Sequence, residues 1–259
     1  GWTSSRTLGL LGVSLALFAA FLTVETRTAA PLIRLSLLRS RNLATANVVG
    51  VLWAAAMFAW FFLSALYLQL VLGYDALHVG LAFLPSNVIM AICSVAVSAR
   101  LVVRFGNRIP LVSGLTLAAI GLLLLAQTPV NGHFAPDVLP SMLLLGVGAG
   151  IAFNPVLMAA MGDVSAEDSG LASGLVNTSF MMGGALGLAV LASLAARQTA
   201  GHVAADAAAL LDGYHVAFMA GAVLAAAAAV VGYIGLRPSS DFGSDADWDN
   251  NREPEPACV

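Results

Sequence analysis

An all-α, polytopic membrane helix bundle of seven transmembrane helices is the fold class this chain predicts, and three observations carry the prediction. Of its 259 residues, 59% are hydrophobic and 10% charged, with a mean hydropathy of +0.90, whereas a water-exposed surface normally needs about a quarter of its residues charged. The apolar residues gather into stretches near the roughly 20 residues that a bilayer crossing requires. No Asp, Glu, Lys or Arg lies inside the apolar body of any stretch, the pattern expected where an ionisable group at the bilayer centre costs several kcal/mol.

The predicted spans run over residues 7–24, 42–68, 77–99, 109–128, 138–161, 167–195 and 214–236. The first has no small-residue cleavage site after it and resembles the other six in composition, so it reads as a membrane span and not a signal peptide. Arginine asymmetry sets the direction. Arg27, Arg34, Arg39 and Arg41 lie between spans one and two, and Arg100, Arg104 and Arg108 between spans three and four; the alternate loops 69–76, 129–137 and 196–213 hold Arg197 alone. The positive-inside rule places the first set in the cytoplasm, with the C-terminus. Loop 162–166, with Asp163 and no arginine, is cytoplasmic by alternation. The chain is therefore expected to be a multi-pass protein of the cell (plasma) membrane, in contact with lipid.

Three regions follow: 1–41, 42–237 and 238–259. Residues 31–41 interleave arginine with leucine and suit either an interfacial amphipathic helix or a plain positive-inside loop. Ser165, Glu167 and Asp168 form a start for span six that resembles a capping box. The last region holds Asp241, Asp245, Asp247, Asp249, Glu253 and Glu255 against Arg252, and reads as a disordered acidic cytoplasmic tail. It accounts for the net charge of −3, since residues 1–237 carry ten Arg against eight acids.

That charge balance provides no basic stripe, so a nucleic-acid partner is excluded. Enzyme function is excluded with it. His78, His133, His202 and His215 lie near the expected outer ends without Cys, Asp or Glu at ligand spacing, so no metal is expected. Cys93 and Cys258 form no framework. There is no Gly-x-Ser-x-Gly, no phosphate loop and no paired carboxylate within a span, and no cofactor is implied.

What the spans do hold is uncharged polar and aromatic residues at helical spacing. Phe58, Phe61 and Ala65 fall within about 40° of Asn47 around span two, and Gln69 extends that face. Trp53, Met57 and Trp60 form a neighbouring stripe. An amide is costly in lipid, so Asn47 should face the bundle interior or a water-filled cavity. The face suits a pocket for apolar or cationic aromatic ligands, or else an interhelical hydrogen bond with aromatic packing. Asn154 supplies a second amide, inside span five. Pro85 lies about 13 Å from the outer end of span three, where it frees a carbonyl and kinks the helix. Gly146 and Gly150 precede Pro155 in span five, and Gly183, Gly184 and Gly187 follow Asn177 and Thr178 in span six. Each glycine set marks close helix packing, and glycine- or proline-interrupted helices in several spans point to a transporter that rocks.

These residues also resemble a family pattern. Ala99-Arg-Leu101-Val-Val103-Arg104-Phe-Gly106-Asn-Arg108 resembles the cytoplasmic Gly-x-Leu-x-Asp-Arg-x-Gly-Arg-Arg signature loop of the major facilitator superfamily. Glu25-Thr-Arg with Pro31-Leu, Tyr67-Leu-Gln69-Leu-Val-Leu-Gly73-Tyr, Gly80-Leu-Ala-Phe-Leu-Pro85, Gly170 through Asn177-Thr, and Gly183 through Gly187 narrow the likeness to the 14-helix drug/proton antiporter branch. The chain departs from the pattern at Ala99, at Val103, where the signature has its aspartate, and at Phe180-Met181, where relatives often have Arg-Gln. The resemblance implies one linker helix (1–41) followed by a C-terminal six-helix half (42–237) with a 3+3 inverted repeat, spans two and five lining the cavity. It also implies that Arg104 and Arg108 face neighbouring helices with Asp163 as the nearest acid to pair with them. The implied function is proton-coupled efflux of hydrophobic or cationic drug-like compounds by alternating access, with the proton-coupling acid in an N-terminal half and no transport by residues 1–259 alone. The alternatives are a dedicated exporter of one metabolite or lipid, or a non-transporting membrane scaffold.

Overall fold

A backbone in lipid must satisfy its own N–H and C=O groups, and for a single apolar segment the helix is the structure that does so. The computed structural model describes residues 4–27, 40–162, 164–199 and 207–236, and no strand occurs among them. Helix α1 (Ser5–Arg27) comes first, with an apolar body, Ser5–Phe21, shorter than the rest. Among the described residues six helices long and apolar enough to cross a membrane follow: α2 (Arg41–Val71), α3 (Ala76–Phe105), α4 (Arg108–Leu125), α5 (Phe134–Met161), α6 (Ser169–Thr199) and α7 (Ala207–Gly235). The segment 31–41 up to Arg39, Asp163 and the acidic tail lie outside the described residues.

Two boundaries differ most from expectation. α3 continues six residues beyond 99, to Phe105, and α7 begins seven residues before 214, at Ala207. The expected end of α3 stood at its first charge, Arg100, but a long arginine at a helix end keeps its stem on apolar surface while its head reaches water, so the helix need not stop there. Leu101 and Arg104 of the signature are thus helical, in place of the expected loop. The reversal is confined to Gly106 and Asn107, with Arg108 opening α4. Gly106 has φ 71°, a conformation costly for any residue with a Cβ; its N–H closes the helix on the Val102 carbonyl at 2.8 Å.

Caps and wide turns shape the other ends. Ser40 accepts from the Leu43 N–H to start α2, and Asp75 accepts from the His78 N–H at 2.8 Å to start α3, each filling a donor the first turn leaves open. Among the described residues three π-helical turns interrupt the α geometry: Tyr67–Val71 at the end of α2, Cys93–Ser98 inside α3 and Phe134–Val138 at the start of α5.

The principal contacts are α2 with α6 and α7, α5 with α3 and α4, α4 with α7, α6 with α7, and α2 with α5. Apart from the α6–α7 contact, whose counterpart between α3 and α4 is slight, this set is unchanged when α2 is exchanged with α5, α3 with α6 and α4 with α7. With α2 and α5 running in opposite directions, that pattern is the one a 3+3 inverted repeat produces. Trp53, Trp60, Leu63, Leu111, Leu115, Leu122, Met142 and Phe218, from α2, α4, α5 and α7, fill the centre. In its most apolar 18-residue stretch α3 is 17% buried and α6 22%, against 44–61% for α2, α4, α5 and α7.

Each end is fastened. At the histidine-bearing end the Tyr67 hydroxyl donates to the Pro129 carbonyl at 3.0 Å, and His215 Nε2 donates to the Thr128 carbonyl at 2.8 Å. The α4–α5 connection is thereby tied to α2 and α7. At the arginine-bearing end Arg41 donates to the Ile234 carbonyl at 2.9 Å, and the Arg108 guanidinium lies 3.9 Å from the Tyr233 ring centroid. Both cations meet the C-terminal end of α7, where the helix dipole favours them.

Candidate substrate clefts

Two clefts meet at one side chain. The first, about 290 Å³, lies between α2, α5 and α6, where Trp53, Phe153, Leu157, Asn177, Phe180 and Met181 contribute to its wall. The second, about 270 Å³, lies between α2, α3 and α5, with Met57, Met90, Ser94, Gly150 and Phe153 in its wall. Phe153 belongs to both. A larger hollow of about 480 Å³ between α2, α6 and α7 is walled by residues such as Val51, Ala55, Met182 and Leu186. Ser179 is its one polar side chain, as Ser94 is in the second cleft, whereas the first cleft offers Ser173 and Asn177 to orient a ligand; the first cleft, with the second joined to it at Phe153, is the better site.

An edge-to-face aromatic chain crosses the first cleft. Phe58 and Phe180 are 6.2 Å apart at 71°, and Phe180 and Phe153 are 6.3 Å apart at 88°, the geometry ring quadrupoles prefer. Glycines bring α6 close enough to form it. A Cβ at Gly184 would fall 2.7–2.9 Å from ring carbons of Phe58, and Gly183 and Gly187 lie equally tightly on Val51 and Ala55. On the other side Gly146 and Gly150 bring α5 onto the Ser86 and Met90 carbonyls of α3, where added Cβ atoms would fall 2.5 Å away. Pro155 is buried on α5, whereas Pro85 is exposed on α3.

The expected cavity face on α2 is dispersed. Asn47 is 8% exposed and donates to the Leu43 carbonyl of its own helix at 2.8 Å. Phe58 joins the aromatic chain. Phe61 stacks on Phe83 of α3 at 5.5 Å. Gln69 is exposed at the helix end, beyond the point where the π-helical turn shifts the register. Asn154 donates to the Ser94 carbonyl at 2.6 Å and approaches its Oγ at 3.2 Å, bridging α5 to α3.

Sequence reasoning missed Phe153 as the residue common to both clefts. It noted Phe180 and Met181 as a departure from a pattern, not as wall residues. One signal was available: Phe180 lies three and four residues before Gly183 and Gly184, so it shares their face of α6 and is directed with them toward α2. Ionic chemistry is peripheral among the described residues, as with Asp75 and His78, which meet at 2.6 Å at the mouth of α3. The His78 backbone and side-chain donors hold the Asp75 carboxyl below its usual pKa.

Comparison with known proteins bears on this arrangement. The family model described as Major Facilitator Superfamily matches residues 2–188. The chain is 34% identical over 198 residues to the Multidrug resistance protein Stp of Mycobacterium tuberculosis, covering 76% of this chain and 36% of that protein. It is 32% identical over 233 residues to the Cephamycin export protein CmcT of Amycolatopsis lactamdurans, covering 89% and 47%. It is 33% identical over 196 residues to the Tetracenomycin C resistance and export protein of Streptomyces glaucescens, covering 76% and 36%. The chain spans less than half the length of these relatives. A bundle of membrane-length helices with clefts between them, and a family match over more than half of the sequence, lead to one conclusion: this chain belongs to the major facilitator superfamily.

Proposed function

We propose that the chain is the C-terminal half of an efflux transporter that exports hydrophobic or cationic drug-like compounds by alternating access, coupled to proton entry. The observation that carries this reading is the coincidence of the clefts with the exposed sides of α3 and α6. Asn177 and Met181 on α6 and Ala91 on α3 are exposed, and they border the clefts. A second six-helix unit laid on these sides would close the clefts into a central cavity, which rocking of one unit against the other opens to alternate faces. The aromatic chain and the methionines suit flat apolar ligands, and the aromatic faces accept a cation.

Within the described spans the acids stand at helix ends or in connections, so the coupling acid is assigned to the other half, and the C-terminus is assigned to the cytoplasm. Expression of the full-length gene in a pump-deficient host tests the reading. Tolerance to several unrelated dyes and drugs, lost when the proton gradient is collapsed, is the expected result. Tolerance to one compound class alone would favour the second reading, a dedicated exporter, which the single-antibiotic names of two relatives support. No effect on any compound would favour a scaffold. Residues 1–259 reconstituted alone are expected not to transport.

A further inference from the structure

Two interruptions of regular helix lie side by side on α3 and α5, and each is answered by a side chain of the other. Pro155 has no N–H, so the carbonyl four residues earlier, that of Ile151, lacks its α-helical donor. The hydroxyl of Ser98, fully buried on α3, donates to that carbonyl at 3.1 Å. In the reverse direction the π-helical turn Cys93–Ser98 widens α3, and the amide of Asn154 on α5 donates to the Ser94 carbonyl within it at 2.6 Å. Gly150 lets the two backbones approach here, on the Met90 carbonyl and Cys93. Ser94, Gly150 and Phe153 all line the second cleft.

We propose that Ser98 and Asn154 are positioning residues that join the wide turn of α3 and the proline break of α5 into one hinge, so that the two helices bend together and carry Phe153 with them. Membrane helices tolerate such breaks where neighbouring side chains satisfy the freed groups, and wide turns inside helices recur at functional sites. The crossed pairing has a consequence that independent packing would not: either donor becomes dispensable once its target carbonyl regains a partner.

The test uses the full-length protein in lipid nanodiscs for hydrogen exchange and in proteoliposomes for ethidium transport. Ser98→Ala is expected to speed exchange of the α5 amides around Ile151 on the order of tenfold, the size of one orphaned buried carbonyl, and to lower ethidium turnover with little change in apparent affinity. Ser98→Thr, which keeps the hydroxyl, restores both. In a Pro155→Ala background residue 155 again donates to Ile151, and the added effect of Ser98→Ala is expected to vanish. An equal effect of Ser98→Ala in both backgrounds, exchange in α5 unaltered by it, or a change confined to ethidium affinity would each overturn the hinge. The turnover arm rests on the exporter reading and the exchange arm does not. Absence of ethidium transport by the unaltered protein would count against that reading alone and leave the exchange arm to decide.

Discussion

The α2–α6 and α5–α3 interfaces occupy equivalent places in the two triads, but different groups meet there. At the first, the glycines belong to α6 and meet the Val51 backbone and side chain, Ala55 and the Phe58 ring. At the second, the glycines belong to α5 and face backbone carbonyls of α3, and two side chains cross to bond backbone oxygen. Both contacts are tight, and the second is also hydrogen-bonded across the helices at two fixed points. Shared architecture therefore does not imply shared mechanics: any shift at the second interface must break hydrogen bonds as well as repack side chains.

Substitutions that separate the two begin with Gly187→Leu. The new side chain has no space beside Ala55, and overpacking of this kind costs about 1–3 kcal/mol, occasionally more. The expected result is a large fall in the thermal midpoint of the full-length protein in detergent, with reduced yield. Asn154→Ala at the other interface leaves the Ser94 carbonyl without its cross-helix donor. It is expected to cost about 1–3 kcal/mol, measured by the same unfolding assay, with Asn154→Gln recovering part of the loss. The α2–α6 glycine contacts have no equivalent polar deletion.

Phe180→Ala removes both edge-to-face contacts of the aromatic chain, each worth about 0.5–1.5 kcal/mol. It should weaken binding of an aromatic dye several-fold, read by fluorescence titration, while stability changes less than with Gly187→Leu. The smallest effect is expected at Asp75, far from either interface. Its pKa is lowered, first by the His78 N–H bond and next by the His78 ring. The cap is therefore present above the ordinary carboxylate range and lost as pH falls through the depressed value. Amides in the first turn of α3 should exchange faster once the carboxyl is protonated, and Asp75→Asn, which caps without ionising, should remove that pH dependence.

These contrasts also mark how far the sequence could be read. Helix number and approximate position follow from apolar length, because lipid leaves a single segment no other way to satisfy its backbone. The turn at Gly106 was legible as a signature glycine, but the helical state of Leu101 and Arg104 was not, since a boundary drawn at a charge ignores the reach of arginine. The cavity face was legible only in part. α2 has protein on most sides, so an azimuth alone does not identify the cleft, and the wide turn at Tyr67–Val71 displaces Gln69 from the face extrapolated at regular spacing. Asn154 stood out as an amide in an apolar span. Its commitment to Ser94 depends on a second helix 60 residues away in sequence, which no periodicity within α5 encodes. The expected pairing of Arg108 with Asp163 involves a residue outside those described; Arg108 itself lies over Tyr233.

α7 packs against both α2 and α4 with small residues at its buried positions, among them Ala217, Gly221, Ala222, Ala225, Ala228 and Ala229, and its end is gripped by Arg41, 193 positions earlier. In terms of biosynthesis, the last of these helices to leave the ribosome is the one that closes the bundle. Until it arrives, apolar walls of α2 and α4 and the Arg41 guanidinium lack their native partner, the kind of exposed intermediate that cellular quality control recognises. A chain halted before Ala207 is therefore expected to be cleared rapidly after insertion, and pulse-chase turnover would show it.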